Sequence, residues 1–357
     1  MPSVFSFRSL QRWAAPAAVL LAGGLTLWTH AGDAPPAQPA GASPEMLTPL
    51  KDYQAKIVYE SHRDGNWDLF LMNADGTDPV NLTHTPDVDE MYPKPSPDGR
   101  QICFEVDEGK GPDKSRNIYL MNSDGSGRHK IADNAREPCW SPDGSQIAFM
   151  GGEFKQFSYR DFATKGLYIY DVKTGTTRQH PNKKLMHLYY LRWAPGGKWF
   201  VATIHGALGF SHSIVAVQAD GDKVVDLHLP GCRPDVSPDG KHIAWGHGDF
   251  CAGVADLDLT LPMPRATNIH NAVESKKPVE TYHMCWSPDG RYIAFSRGPE
   301  LARPNLRGLL PEFPGVQAPG WNICVCDATH KNRWVQLTTD GQSNKQPGWV
   351  VVHREAR

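Results

Sequence analysis

From residue 56 onward, apolar and polar residues alternate over short runs that are broken repeatedly by Gly, Pro, Asp and Asn. Gln101 to Val106, Gln146 to Met150, Trp199 to Ile204, His242 to Gly246 and Tyr292 to Ser296 all show this period of two. A period of two places one face of a strand inward and the other outward, so these runs predict half-buried β-strands. No helical period of comparable strength appears after residue 32. The pattern therefore predicts an all-β chain of short strands and tight turns.

The strands recur in a fixed unit. Five copies of one turn stand 43 to 53 residues apart: Ser96-Pro97-Asp98-Gly99, Ser141-Pro142-Asp143-Gly144, Ala194-Pro195-Gly196-Gly197, Ser237-Pro238-Asp239-Gly240 and Ser287-Pro288-Asp289-Gly290. Proline presets φ at the second position and glycine accepts the left-handed fourth, which closes a hairpin. A Trp usually precedes the turn, as Trp140, Trp193 and Trp286, with Trp349 in the same relation to the last strand. A third strand such as Asn117 to Asn122, an Asp-Gly turn at Asp124-Gly125 and a fourth strand, Arg128 to Ala132, complete the unit. Four antiparallel strands in radial repetition make a propeller blade. Residues 56 to 83 supply strands two to four of a further blade, while Gln346 to Val352 reads as a first strand with nothing after it. Joined, they make a sixth blade and remove two exposed sheet edges. The fold class is thus a six-bladed β-propeller whose terminal strands share the closing blade.

Specific residues carry a resemblance. Ser61-His62-Arg63-Asp64-Gly65-Asn66-Trp67-Asp68-Leu69-Phe70-Leu71-Met72-Asn73-Ala74-Asp75-Gly76, with Asn81-Leu82-Thr83 after it, resembles the repeat of TolB-like propeller proteins. Trp140-Ser141-Pro142-Asp143-Gly144 and Trp286-Ser287-Pro288-Asp289-Gly290 resemble its second half, and the likeness extends over residues 56 to 352. It implies the fold and, by extension, an interaction module of the periplasm or cell surface. The glycines and prolines that carry it make turns, so it says little about chemistry.

In such a propeller the first strand of each blade faces the central channel. Four positions before the turn stand Tyr92, Glu137, Tyr190, Arg233, His283 and Gln346; two positions before it stand Lys94, Cys139, Arg192, Asp235, Cys285 and Gly348. Strand alternation puts both columns on one side, toward the channel mouth. Lys94, Arg192 and Arg233 would neutralise an anionic group there, Tyr92, Tyr190 and His283 would stack or hydrogen bond, Glu137 and Asp235 would balance charge, and Gln346 completes the ring. A hydrated structural ring would have the same composition. Two long loops, Gly151 to Gly166 and Arg297 to Gly320, are placed at the same mouth, as recognition loops or as a self-packed lid. The expected ligand is an envelope protein or a glycan, bound without catalysis. The alternative is a polysaccharide lyase, with Arg192 or Arg233 neutralising a uronate and His283, Tyr92 or Tyr190 as base and acid. The sequence holds no G-x-S-x-G nucleophile elbow.

Charge and cysteine count narrow the partners. The formal net charge of −2 argues against nucleic acid and against an anionic membrane surface. Arg8 and Arg12, an apolar stretch from Ala14 to Trp28 and the small residues before Gly32 read as a signal peptide over residues 1–31, or as an uncleaved anchor, directing the chain to the periplasm or outside. Residues 32–50, rich in Ala and Pro, read as a spacer before the propeller at 51–357. Seven cysteines match no disulfide scaffold and read as buried small hydrophobes. Cys324 and Cys326 form a lone C-x-C, and His187, His205, His212, His247 and His283 lack tight ligand spacing. No metal and no cofactor is therefore expected, and the chain is expected to be a monomer.

Overall fold

The computed structural model describes residues 38–260, 262–300 and 310–353. Over them run six antiparallel sheets of four strands. Blade 1 consists of Asp89–Pro95, Gln101–Glu108, Ser115–Asn122 and His129–Ala132, and the next four blades repeat that order along the chain. Blade 6 is composite. Ser343–Val351 is its innermost strand and pairs with Ala55–Arg63, with Ile57 opposite Trp349 and Ala55 opposite Val351. Asn66–Asn73 and Val80–Asn81 follow outward. The strand runs read from the sequence lie within these elements, except that Arg128 and Val352 fall one residue outside them.

Apolar clusters fill the gaps between blades. Val201, Ile214, Ile243 and Trp245 occupy the gap between blades 3 and 4, and Val254, Met284, Phe295 and Trp334 that between blades 4 and 5. Each such side chain taken fully from water contributes about 1.5–3 kcal/mol, so the ring is held by its blade-to-blade seams as much as by its sheets. The tryptophans before the turns also join blades by hydrogen bonds. The Trp140 indole donates to the Lys94 carbonyl at 2.8 Å, and that of Trp349 to the Cys285 carbonyl at 3.1 Å.

The spacer expected over residues 32–50 is corrected for its described part. Pro44–Met46 and Leu47–Lys51 form a short helical turn and helix, and Met46 and Leu50 are buried against Ile57, Val335 and Trp349. The Gln38 side-chain amide meanwhile donates to the Gln336 carbonyl and accepts from the Gln336 backbone N–H, both at 3.0 Å, on the outer strand of blade 5. Two apolar side chains spaced one helical turn apart were enough to dock a segment whose composition reads as a linker. The segment read as a signal peptide lies outside the described residues.

One irregularity recurs in every blade and fixes what faces the axis. Tyr92, Glu137, Tyr190, Arg233, His283 and Gln346 all have left-handed backbone, with φ between 55 and 62°. At each, the pairing of the innermost strand with its neighbour slips, for example between Met91 and Lys94 and between Cys232 and Asp235. These are β-bulges, which turn a strand sharply and leave one residue without a ladder partner. Non-glycine residues avoid this conformation, so finding it six times at one position marks it as required by closure of the ring.

Candidate functional site

The bulges split the two channel columns that strand alternation had placed together. The bulged residues form a plug across the middle of the axis, all of them at most 2% exposed. Tyr92 donates to a Glu137 carboxylate oxygen at 2.5 Å, and Tyr190 donates to the Gln346 amide oxygen at 2.5 Å. The unpaired bulge N–H groups are collected by neighbouring side chains: that of Tyr92 by Glu60 at 2.9 Å, that of Glu137 by Glu105 at 2.7 Å, that of Arg233 by Thr203 at 2.8 Å and that of Gln346 by Ser296 at 3.1 Å. Glu105, Thr203 and Ser296 stand six residues after a turn glycine, and Glu60 takes the equivalent place in the composite blade, a column the sequence analysis did not single out. Carboxylates flanked by apolar residues, as in Phe104-Glu105-Val106, were the available signal.

The plug carries its own ion pairs. Arg116 binds Asp107 through Nε at 2.6 Å and approaches Glu105 at 3.4 Å, while Lys345 lies 3.6 Å from Glu60. Burial pushes the Glu137 carboxyl up to about 8, with the charges of Glu105 and Asp161 adding to it. Burial, then the Arg233 and Lys345 charges, also pulls His283 well below the usual imidazole range.

At the mouth opposite the S-P-D-G turns, where the sequence analysis placed the ligand, the ring residues bond to described residues of the two long loops. Arg233 donates to Asp161 at 2.8 Å, and His283 Nε2 donates to the Glu312 carbonyl at 2.9 Å. The Lys345 ammonium donates to the carbonyls of Pro311, Phe313 and Val316 at 3.0, 2.8 and 2.9 Å. The described parts of the two long loops thus pack against the ring. Arg233, His283, Tyr92, Tyr190, Glu137 and Gln346, among them the residues that the lyase alternative uses as base and acid, are buried.

Lys94, Arg192 and Asp235 lie elsewhere, two residues further along their strands and past the bulge. They line a cavity of about 360 Å3 that opens among the S-P-D-G turns. Cys139 and Cys285 share this bowl, Trp140, Trp193, Trp286 and Trp349 wall it, and Pro97, Pro142, Pro195, Pro238 and Pro288 rim it. Asp235 is fully engaged: Oδ1 accepts Arg192 Nε at 2.7 Å and Oδ2 accepts the Trp286 backbone N–H at 2.7 Å. Lys94 is not engaged. Its ammonium lies 3.9 Å from the centre of the Tyr92 ring and 5.1 Å from that of Tyr190, with no hydrogen-bond acceptor among the described residues. The residue is 8% exposed. Burial, then the nearby Arg192 charge, pulls its pKa down to about 7. A larger groove of about 1180 Å3 lies between blades 3 and 4, but its Lys198, Asp220, Lys223, Asp239 and Lys241 are exposed to water. The axial bowl instead combines enclosure with a largely buried charge.

Among the described residues no three His, Cys, Asp or Glu side chains gather as a metal site would require, and no helix is long and apolar enough to cross a membrane. All seven cysteines are free thiols.

A closed ring of six four-stranded blades with a composite closing blade defines a six-bladed β-propeller. Its fold is TolB-like. The chain is similar to TolB from Acinetobacter baumannii with 18% sequence identity and a TM-score of 0.60, over 84% of this chain and 67% of that one. It is also similar to hydrazine synthase from Kuenenia stuttgartiensis, with 13% identity and a TM-score of 0.56 over 88% of this chain and 49% of that one. Identities this low establish the shared fold. Among curated proteins it is similar to dipeptidyl-peptidase 5 of Porphyromonas gingivalis, 40% identical over 256 residues, 56% of this chain and 36% of that protein, so it spans about a third of that relative's length. No protein-family model matches the chain.

Proposed function

We propose that this protein is an exported, non-catalytic binding propeller that holds a carboxylate-bearing ligand, part of an envelope protein or glycan, in the bowl among its S-P-D-G turns. The observation that carries this reading is the Lys94 ammonium, desolvated and facing the cavity without an acceptor. Leaving a charge in that state costs stability, and a carboxylate placed against it would regain a charge-assisted hydrogen bond. The tryptophan walls suit the flat or apolar part of a ligand. Export is supported by the basic, apolar and small-residue order of the first 31 residues.

Tryptophan fluorescence titrations with benzoate, trigalacturonate and an acidic tripeptide test the site and separate the ligand classes. Binding of at least one probe is expected, weakened about tenfold or more in Lys94→Gln, as the loss of a charged hydrogen bond of roughly 1.5–3 kcal/mol implies. A Lys94→Gln variant that binds every probe as the parent does would overturn the assignment. For export, mass spectrometry of the protein from its native envelope should find a new N-terminus near Gly32; intact Met1 in a cytoplasmic fraction would contradict it.

A further inference from the structure

Lys94 is the only amine lining the bowl, and its surroundings differ from those of a lysine that serves as a plain point charge. Two ring faces, Tyr92 and Tyr190, stand beneath Nζ in place of acceptors. The one carboxylate of the bowl, Asp235, is saturated by Arg192 and the Trp286 N–H. The Arg192 guanidinium faces the same space, its Cζ 4.8 Å from the centre of the Tyr190 ring on which Lys94 also rests. A second cation and an apolar wall both favour the neutral amine, the combination that makes a lysine nucleophilic.

We propose that Lys94 captures an aldehyde in the bowl as an imine, an inference that rests on the bowl being the ligand site. The free amine attacks the carbonyl carbon, the C–N bond forms as the π pair moves to oxygen, and proton transfer from nitrogen to oxygen gives the carbinolamine. Loss of the hydroxyl with the second nitrogen proton leaves C=N and one water. No oxidant, reductant or co-reactant is needed, and the reverse reaction requires only the water that the open mouth admits.

The groups facing Lys94 support the assignment. Its pKa near 7 leaves a large share of free amine at pH 7.5, where an ordinary lysine with a pKa of roughly 10.4 holds about one part in a thousand. Arg192 lowers it, while Cys285, Asp235 and the more distant Glu137 raise it by smaller amounts. The bowl's thiols do not compete, because burial pushes Cys285 up to about 11 and Cys139 up to about 12 and keeps both protonated. A volume of about 360 Å3 falls within the range of small-molecule pockets, roughly 300–1,000 Å3. An aldehyde on a flat aromatic or apolar body would place that body against the tryptophan walls.

The experiment treats the full chain with 4-carboxybenzaldehyde and cyanoborohydride between pH 6 and 9, and maps the trapped secondary amines by peptide mass spectrometry. Benzoate, which cannot form an imine, is titrated in parallel by tryptophan fluorescence. The expected result is alkylation of Lys94 at least tenfold faster than of the other lysines, its rate rising through a midpoint near pH 7, with benzoate slowing it. If benzoate binds but Lys94 is trapped no faster than exposed lysines, the imine is overturned and the bowl stands as a binding site. If benzoate does not bind and labelling follows exposure alone, both readings fall.

Discussion

The two halves of the axis are built from neighbouring residues of the same six strands, yet they solve opposite problems. On the lid side of the bulges, Arg233 meets Asp161 and Lys345 meets three carbonyls, all on the loop segments, while Arg116 pairs with Asp107 on the neighbouring strand. On the turn side, two residues onward, Lys94 is left without an acceptor and the wall is tryptophan, proline and thiol. Charge at the centre of a propeller therefore does not identify a site. The informative feature is whether the same chain has already supplied its partner.

Substitutions on the two sides should separate accordingly, most strongly at Arg233. Arg233→Ala strands Asp161 in a sealed interior, and urea unfolding should show a loss of about 3–5 kcal/mol. An unchanged midpoint would remove the distinction between plug and bowl. A smaller effect concerns pH. Glu137 has a folded pKa of about 8, above its unfolded value, so the folded state holds the extra proton and stability falls as pH rises from roughly 4.5 to 8. Glu137→Gln should flatten that slope and raise stability at pH 8 by on the order of 1–3 kcal/mol.

Lys94 titrates in the opposite sense. Its folded pKa is about 7, below the unfolded value, so its contribution improves as pH rises from about 7 toward 10.4. Lys94→Met, which removes that cost, should accordingly raise stability at pH 8 by on the order of 1–3 kcal/mol, while a carboxylate probe loses affinity. In the parent protein, affinity for that probe should decline above pH 7, since the bound anion favours the ammonium; isothermal titration at pH 6.5 and 8.5 would register proton uptake on binding at the higher pH. The smallest effect is a rate. Cys285, though it faces the bowl, should react with iodoacetamide more slowly than a free thiol at pH 7.5, because burial keeps it protonated.

The architecture was legible because it rests on local chemistry. Each S-P-D-G turn announces itself over four residues, and the orphan strand near Gln346 matches the missing one before Lys56. The site was legible only as a list. Lys94, Arg192 and Asp235 were grouped with the bulged residues on one face, whereas the structure separates them, because a strict period of two ignores the extra residue that each bulge inserts between Tyr92 and Lys94, or between Arg233 and Asp235. The pre-proline position of Tyr92, Glu137, Arg233 and Gln346 offered a hint of irregular backbone. Partners such as Asp161 and Glu312 lie on loops 72 and 79 residues from Arg233, a proximity that only the folded ring creates.

The composite blade has a consequence for the order in which the chain acquires its structure. Blades 1 to 5 can each zip from contiguous sequence, whereas the hairpin of Ala55–Arg63 and Asn66–Asn73 must wait for Ser343–Val351, nearly three hundred residues later. Such late, non-local pairing is slow to form. Because a chain is made from its N-terminus, this delay keeps the ring open until the last strand has been synthesised, so that closure is a post-synthetic event.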